Sequence, residues 1–324
     1  MTPDEAAFFR DADPWGFILF ARNVETPDQL RRLCRNLRDA VGRDALIFVD
    51  QEGGRVQRLR QPHWRTYPSA TAYGALYDLD RRAGRRAAFL AYRLIADDLR
   101  GVGIDADCAP VLDIPQPGAD PIISDRAFGT KVNGIVDLAH AAMAGLMCGG
   151  VAPVIKHMPG HGRATVDSHL SLPRIDTDLE TLSATDFEPF RQLGPAPMAM
   201  TAHIVLSYVN ERPVTLSRQA IQTVIRDQIG YDGLLMTDDL DMKALQGNSL
   251  SAKARSALDA GCDVVLQCSG QLSDMMAVAD GVRPLSGKSL ERAHVAVLSR
   301  HSETAFDRDS AETEFDRLMS RVTS

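Results

Sequence analysis

Seven short, nearly unbroken apolar runs constrain what this chain can fold into. They occupy residues 15–20, 45–50, 104–113, 152–155, 198–204, 233–240 and 262–268. Strands with one face in water alternate apolar and polar residues, whereas runs of this kind belong to parallel strands covered by helices on both faces. Helical segments fill the intervals. Thr26-Pro27-Asp28-Gln29 supplies an N-cap, a proline at the first helical position and a glutamine at the third; Leu30, Leu33, Leu37 and Val41 follow at helical spacing, and Gly42 is a stop. Residues ~80–100 place Ala87, Leu90, Leu94 and Ile95 on one side, with Gly101 ending the helix. Further helices are expected over 134–148, 178–192, from Ser217 to Gly230, and over 251–260, 271–280 and 288–300, with a polar, partly helical tail from about 303.

This alternation reads as an α/β fold. Polar residues gather where the strands end, at Asp50, Asp113, Lys156-His157, His203 and Asp238. Chemical groups at the C-terminal edge of many successive strands point to a TIM (β/α)8-type barrel. An open, doubly wound sheet is the second reading, but no G-x-G-x-x-G follows the first strand. No repeat, linker or low-complexity tract divides the 324 residues, so one domain spanning 1–324 is expected.

The densest chemistry lies in Lys156-His157-Met158-Pro159-Gly160-His161-Gly162-Arg163-Ala164-Thr165-Val166-Asp167-Ser168-His169. Its proline and glycines rule out a regular helix, so it is expected to leave the fourth strand as a loop. One reading is a polar loop whose histidines satisfy backbone groups. A second is a metal site, but Met158-Pro159-Gly160 keeps His157 and His161 off a common helix face. The third is acid–base chemistry by His169 with Asp167. If Asp167-Ser168-His169 is extended, residues two apart point the same way, and the carboxylate can fix the imidazole's tautomer. An imidazole with a pKa near ~6.5 can both give and take a proton near neutrality. Asp238 and Asp239, adjacent on a strand, face opposite ways, so only one can enter a site there; a structural carboxylate capping backbone groups is the expectation for Asp239. Gly53-Gly54 lacks a Walker pattern and is read as a tight turn. His203 is either a site-lining or a structural histidine, and His161 is read as loop architecture.

Charge and composition remove other classes. Lys+Arg 36 against Asp+Glu 43 gives a net charge of −7, with no basic stripe for nucleic acid. No apolar run approaches the ~20 residues of a membrane helix, and the acidic start Met1-Thr2-Pro3-Asp4-Glu5 lacks the layout of a signal peptide. Five scattered cysteines argue against a disulfide framework and for a cytoplasmic setting.

Four motifs then occur in order: Asp50-Gln51-Glu52-Gly53-Gly54-Arg55-Val56, Lys156-His157-Met158-Pro159-Gly160-His161-Gly162, Asp167-Ser168-His169 and Thr237-Asp238-Asp239-Leu240. Together they resemble the β-N-acetylglucosaminidases of glycoside hydrolase family 3, in particular the single-domain bacterial peptidoglycan-recycling type, from about residue 15 to 300. The resemblance implies a retaining hydrolase that releases terminal β-linked N-acetylglucosamine from N-acetylglucosamine–anhydro-N-acetylmuramic acid, with or without its peptide. It implies Asp238 as nucleophile (with Thr237 in place of the usual serine) and His169 as acid/base with Asp167 as its partner. Asp50, Arg58, Arg126, Lys156 and His157 match positions that bind the sugar ring. No cofactor or metal is implied, and the partner is a small carbohydrate met by a monomer. Phosphorolysis is the near alternative, since a histidine repels incoming phosphate less than a glutamate; a sugar-binding barrel without turnover is the alternative of another class. Family members usually carry an apolar strand ahead of the segment beginning here at Thr2, so the resemblance implies a barrel lacking or replacing its first strand.

Overall fold

The computed structural model describes residues 1–300 and 304–322; the expected start of the tail near 303 lies outside the described residues. The chain forms two compact units, one of Met1–Pro110, Asp137–Val154 and Val297–Ser324, the other of Val111–Val136 and Ile155–Ala296.

In the first unit, β1 (Gly16–Leu19), β2 (Leu46–Val49), β3 (Ala106–Asp107) and the start of β4 (Ala152–Met158) pair in parallel in that order. Every residue of β2 and β4 is buried, as continuous apolar runs require. The helix Pro27–Val41 starts where expected: Thr26 Oγ1 accepts from the Gln29 N–H, and Gly42 closes it with φ 64°. The helix Arg81–Arg100 buries Ala87, Leu90, Leu94 and Ile95. Two helices were not expected, Pro3–Ala12 and Ala70–Leu79. The tail forms the helix Arg308–Met319, which buries Phe315 and Leu318 and pairs Arg308 with Asp97 at 2.6 Å and Asp98 at 2.8 Å.

The third apolar run is a far shorter strand than its sequence suggests. Pro110 has no N–H to give to a ladder. Beyond β3 the bonding continues piecemeal, from the Val154 N–H to the Ala109 carbonyl at 3.2 Å and from the Leu112 N–H to the Lys156 carbonyl at 2.7 Å.

In the second unit, the end of β4 is followed by β5 (Arg174–Ile175), β6 (Met198–Thr201), β7 (Val205–Leu206), β8 (Leu234–Asp239) and β9 (Val264–Leu266). β6, β8 and β9 continue the parallel sheet, and β5 pairs with β7 apart from it. The segment 178–192 is broken into the helices Leu179–Ala184 and Glu188–Gln192. Ser217 caps its helix as expected, which goes on from Ile221 to Gln228 in the wider turns of a π-helix.

One irregularity positions chemistry. β8 pairs with β9 at Met236↔Val264 and again at Asp239↔Leu266, so one extra residue is inserted on β8. A bulge of this kind re-aims side chains beside an active site. Here the Thr237 Oγ1, fully buried, accepts the Leu266 N–H at 2.9 Å in place of a ladder carbonyl. Thr237→Val keeps the shape and orphans that N–H, which is expected to cost about 1–3 kcal/mol in denaturant unfolding. Thr237→Ser keeps the acceptor and is expected to stay within about 1 kcal/mol, the worth of one buried methyl group.

Candidate active site

The fourth strand runs three residues further than expected, through Met158, so Lys156 and His157 sit on the sheet and not on the loop. Both are buried. The loop begins at Pro159 and is held close to its neighbour. A Cβ on Gly162 would lie 2.0 Å from the Ile114 carbonyl oxygen, and the Gln116 N–H donates to the Gly162 carbonyl at 3.0 Å. Farther along, Arg163 Nε pairs with the Asp186 carboxylate at 2.7 Å.

Asp167 and His169 come together through a turn, not the extended geometry expected of them. The Asp167 carbonyl accepts from the Leu170 and Ser171 N–H groups at 2.9 and 3.0 Å. Its Oδ1 accepts from the His169 backbone N–H and stands 2.8 Å from His169 Nδ1. A side-chain oxygen bonded to the N–H two residues on is the Asx-turn habit of aspartate. The geometry commits Nδ1–H to the carboxylate and turns Nε2 away from it on a ring 59% exposed. Burial would raise the Asp167 carboxyl, but the His169 bonds and the nearby imidazoles outweigh it and hold it below the usual range.

Asp238 lies at the end of β8. Burial would push its carboxyl up, yet His157, His203, the Asp239 N–H and Lys156 prevail and keep it below the ordinary value. An ionised carboxylate surrounded by cationic or neutral donors is a competent nucleophile. Asp239 has another task, as expected: its Oδ1 accepts the Asp241 and Cys268 N–H groups, each at 3.1 Å. Burial, with Asp241 and Asp238 close by, raises it to about 6. His203 is fully buried, with Nδ1 2.8 Å from Thr215 Oγ1 and Nε2 3.0 Å from the Asp239 carbonyl; burial lowers its pKa. Both ring nitrogens are engaged, which makes it a support for the strand end that carries Asp238.

Asp113 was seen in the sequence as a strand-end carboxylate without an assigned role. Fully buried, it receives His157 Nδ1 at 2.7 Å and the His161 N–H at 2.6 Å. Burial alone would raise it; the two histidines instead hold it low. Arg126 stands on the short turn Ser124–Arg126, within electrostatic reach of His161. In the first unit Arg58 Nη2 meets Asp50 Oδ2 at 3.0 Å, and Gln51 Oε1 accepts the Arg58 and Leu59 N–H groups. The Gly53-Gly54 turn has φ 98° and 56°, and a Cβ on Gly53 would lie 2.4 Å from the Pro68 carbonyl, so only glycine fits. Among the described residues no group of three or more His, Cys, Asp or Glu could hold a metal ion.

The N-terminal domain of glycosyl hydrolase family 3 matches residues 4–299. The chain belongs to that family. The β-hexosaminidase of Alkalilimnicola ehrlichii is 41% identical over 256 residues, 78% of this chain and 73% of that one. That of Thioalkalivibrio sulfidiphilus is 39% identical over 300 residues, 91% and 86% of the two chains. NagZ from Neisseria gonorrhoeae, solved in complex with N-trifluoroacetyl-D-glucosamine, shares the fold with a TM-score of 0.85 at 31% identity, over 99% of this chain and 93% of that one.

The chain is thus a family 3 glycosidase of the β-hexosaminidase type, and its site has more parts than the sequence revealed. Asp113 carried a signal, a carboxylate at the end of an apolar run. His161 and Ser168, which meet at 3.1 Å, carried none, because nothing in their spacing says that they touch.

Asp239 gives this glycosidase a pH-dependent cost. Its folded value lies above the ordinary 3.8, so ionising it burdens the fold above about 6 and the burden is gone below the ordinary aspartate range. Asp239→Asn keeps an oxygen for the two N–H groups. It is expected to raise Tm at about pH 7.5 and leave it unchanged at about pH 4, as read by thermal unfolding.

Proposed function

We propose that this chain is a retaining β-N-acetylglucosaminidase that removes terminal N-acetylglucosamine from muropeptide fragments, N-acetylglucosamine–anhydro-N-acetylmuramic acid with or without its peptide. The observation that carries the reading is the Asp167–His169 pair, 2.8 Å apart, with the imidazole's other nitrogen open to a substrate. Asp238 attacks the anomeric carbon while His169 protonates the departing oxygen, giving a covalent glycosyl-enzyme. His169 then takes a proton from water, which releases the sugar and restores Asp238. Asp167 steadies the imidazolium through both steps.

Asp50, Arg58, Arg126, Lys156 and His157 bind the sugar ring in this reading. Carboxylate oxygens accept from hydroxyls, and the cations donate to hydroxyl and acetamide oxygens. The N-trifluoroacetyl-D-glucosamine bound by the Neisseria protein supports an N-acylated glucosamine as the ring recognised. We read the fold as a barrel of TIM type in a single domain, acting as a cytoplasmic monomer; no helix among the described residues is long and apolar enough to cross a membrane.

The test is release of p-nitrophenol from p-nitrophenyl β-N-acetylglucosaminide. Asp238→Ala is expected to abolish turnover. His169→Ala is expected to cost kcat about 10²–10⁴-fold, the usual worth of a general acid/base, and Asp167→Ala nearly as much. Equal kcat for Asp167→Ala and wild type would remove the dyad. Added phosphate is expected to leave free N-acetylglucosamine as the product; sugar 1-phosphate would make the enzyme a phosphorylase instead.

A further inference from the structure

The segment that carries the dyad is poorly tied down except at one point. From Thr165 to Leu172 every residue is exposed or half-buried save Ser168, which is 4% exposed. Val166 and Leu170, on either side of it, face solvent. Ser168 makes two ties in opposite directions. Its Oγ lies 3.1 Å from His161 Nε2, and its carbonyl accepts the Ala244 N–H at 3.2 Å. Ala244 belongs to the short turn Lys243–Leu245, a few residues beyond Asp238 and Asp239. One buried serine thus joins the acid/base segment to the stretch following the nucleophile's strand and to the loop following β4.

His161 is itself fixed. Its backbone N–H donates to Asp113, which also holds the His157 ring, and the two imidazoles lie edge to face with centroids 6.0 Å apart. It is 4% exposed, and its Nδ1 is buried with no hydrogen-bond partner. Burial, only partly offset by Asp113, holds the imidazole down at about 4, so the ring stays neutral and its bond to Ser168 does not switch with pH near neutrality.

We propose that His161 is a positioning residue for proton transfer: through Ser168 it latches the turn that presents His169, and so sets where His169 meets the leaving oxygen. The inference rests on the reading of His169 as acid/base. His169 is next to the latched residue, and the Asx turn makes Asp167, Ser168 and His169 move as one piece. Releasing the latch leaves Asp238, His157 and His203 with all their own partners. It lets only the proton donor drift, and a displacement of about 1 Å at a reacting group is worth up to ~10²-fold in rate.

The experiment compares kcat/KM on two N-acetylglucosaminides. The 2,4-dinitrophenyl glycoside has a leaving group that departs without a proton. Chitobiose, the β-1,4 disaccharide of N-acetylglucosamine, has a sugar alcohol that needs one. His161→Phe and Ser168→Ala are expected to lower kcat/KM on chitobiose by about 10–10²-fold and to leave the dinitrophenyl glycoside within about twofold. His161→Gln, whose amide can reach the position of Nε2, is expected to recover most of the loss. In a His169→Ala background, Ser168→Ala is expected to add nothing further. An equal fall on both substrates, or no fall on chitobiose, overturns the latch while His169→Ala still discriminates between the leaving groups. If His169→Ala itself falls equally on both, the acid/base reading fails and the latch falls with it.

Discussion

Buried acceptors that take backbone N–H groups from a neighbouring strand hold this sheet together where its ladder runs out. A parallel strand that stops or bends leaves N–H groups facing no carbonyl, and a buried orphan donor is costly. Asp105, just ahead of β3, accepts the Ile47 N–H of β2 at 2.7 Å; Asp263, just ahead of β9, accepts the Leu235 N–H of β8 at 2.8 Å. Each is braced by two arginines, Arg38 and Arg300 for the first, Arg226 and Arg292 for the second. At the other ends of the strands the same device meets different partners. Asp107 accepts the Gln51 N–H, Thr237 accepts the Leu266 N–H, and Asp113 is met by His157 and the His161 N–H. The arginines neutralise the first set permanently. In the second set Asp113 stands against the His157 imidazole, so the device that serves as architecture at one end forms part of the electrostatic surroundings of Asp238 at the other.

That division explains why the two halves of the chemistry are mounted differently. In the proposed mechanism Asp238 lies in line with one bond, and it stands on a strand end with a bulge beside it. The acid/base of that mechanism serves an oxygen that leaves and a water that arrives, so it benefits from a site open to solvent; His169, proposed for it, stands on a turn with its ring largely exposed. The cost of that exposure is looseness. Asp167 offsets part of it by binding both the backbone and the ring of His169, which orients the imidazole and charges its surroundings with a single carboxylate.

Much of the fold was legible. Continuous apolar runs marked β2, β4, β6 and β8, and the cap signals at Thr26 and Ser217 were used as read. The first helix is also written in the sequence, since Thr2 and Glu5 form a full capping box with Pro3 at the first helical position. The helix Ala70–Leu79 hid in a loop reading although Tyr73, Leu76 and Tyr77 have helical spacing. The third run misled because apolarity reports burial and not hydrogen bonding, and Pro110 interrupts the one without the other. For the site, local spacing allows Asp167 to reach His169, but the contact forms in a turn made by a side-chain bond to the backbone and not in the extended geometry expected. The contacts of Asp113, His161 and Ser168 join residues 7 to 48 positions apart, and no local pattern encodes those.

Burial sorts four histidines of the second unit, His157, His161, His169 and His203, into roles that their sequence context does not distinguish. His203 is fully buried between Thr215 and a carbonyl, His161 is buried against Ser168, and in both the cost of charging an imidazole away from water lowers the pKa. These two remain neutral and act as fixed donors or acceptors. His157 is tied by Nδ1 to the fully buried Asp113 carboxylate, beside an Asp238 whose carboxyl it helps to hold below the ordinary value. His169 alone among these four combines exposure with a carboxylate partner, which is the combination the proposed acid/base role calls for. The residue type is common to all four positions; the solvent each one reaches separates the scaffold histidines from the proposed acid/base.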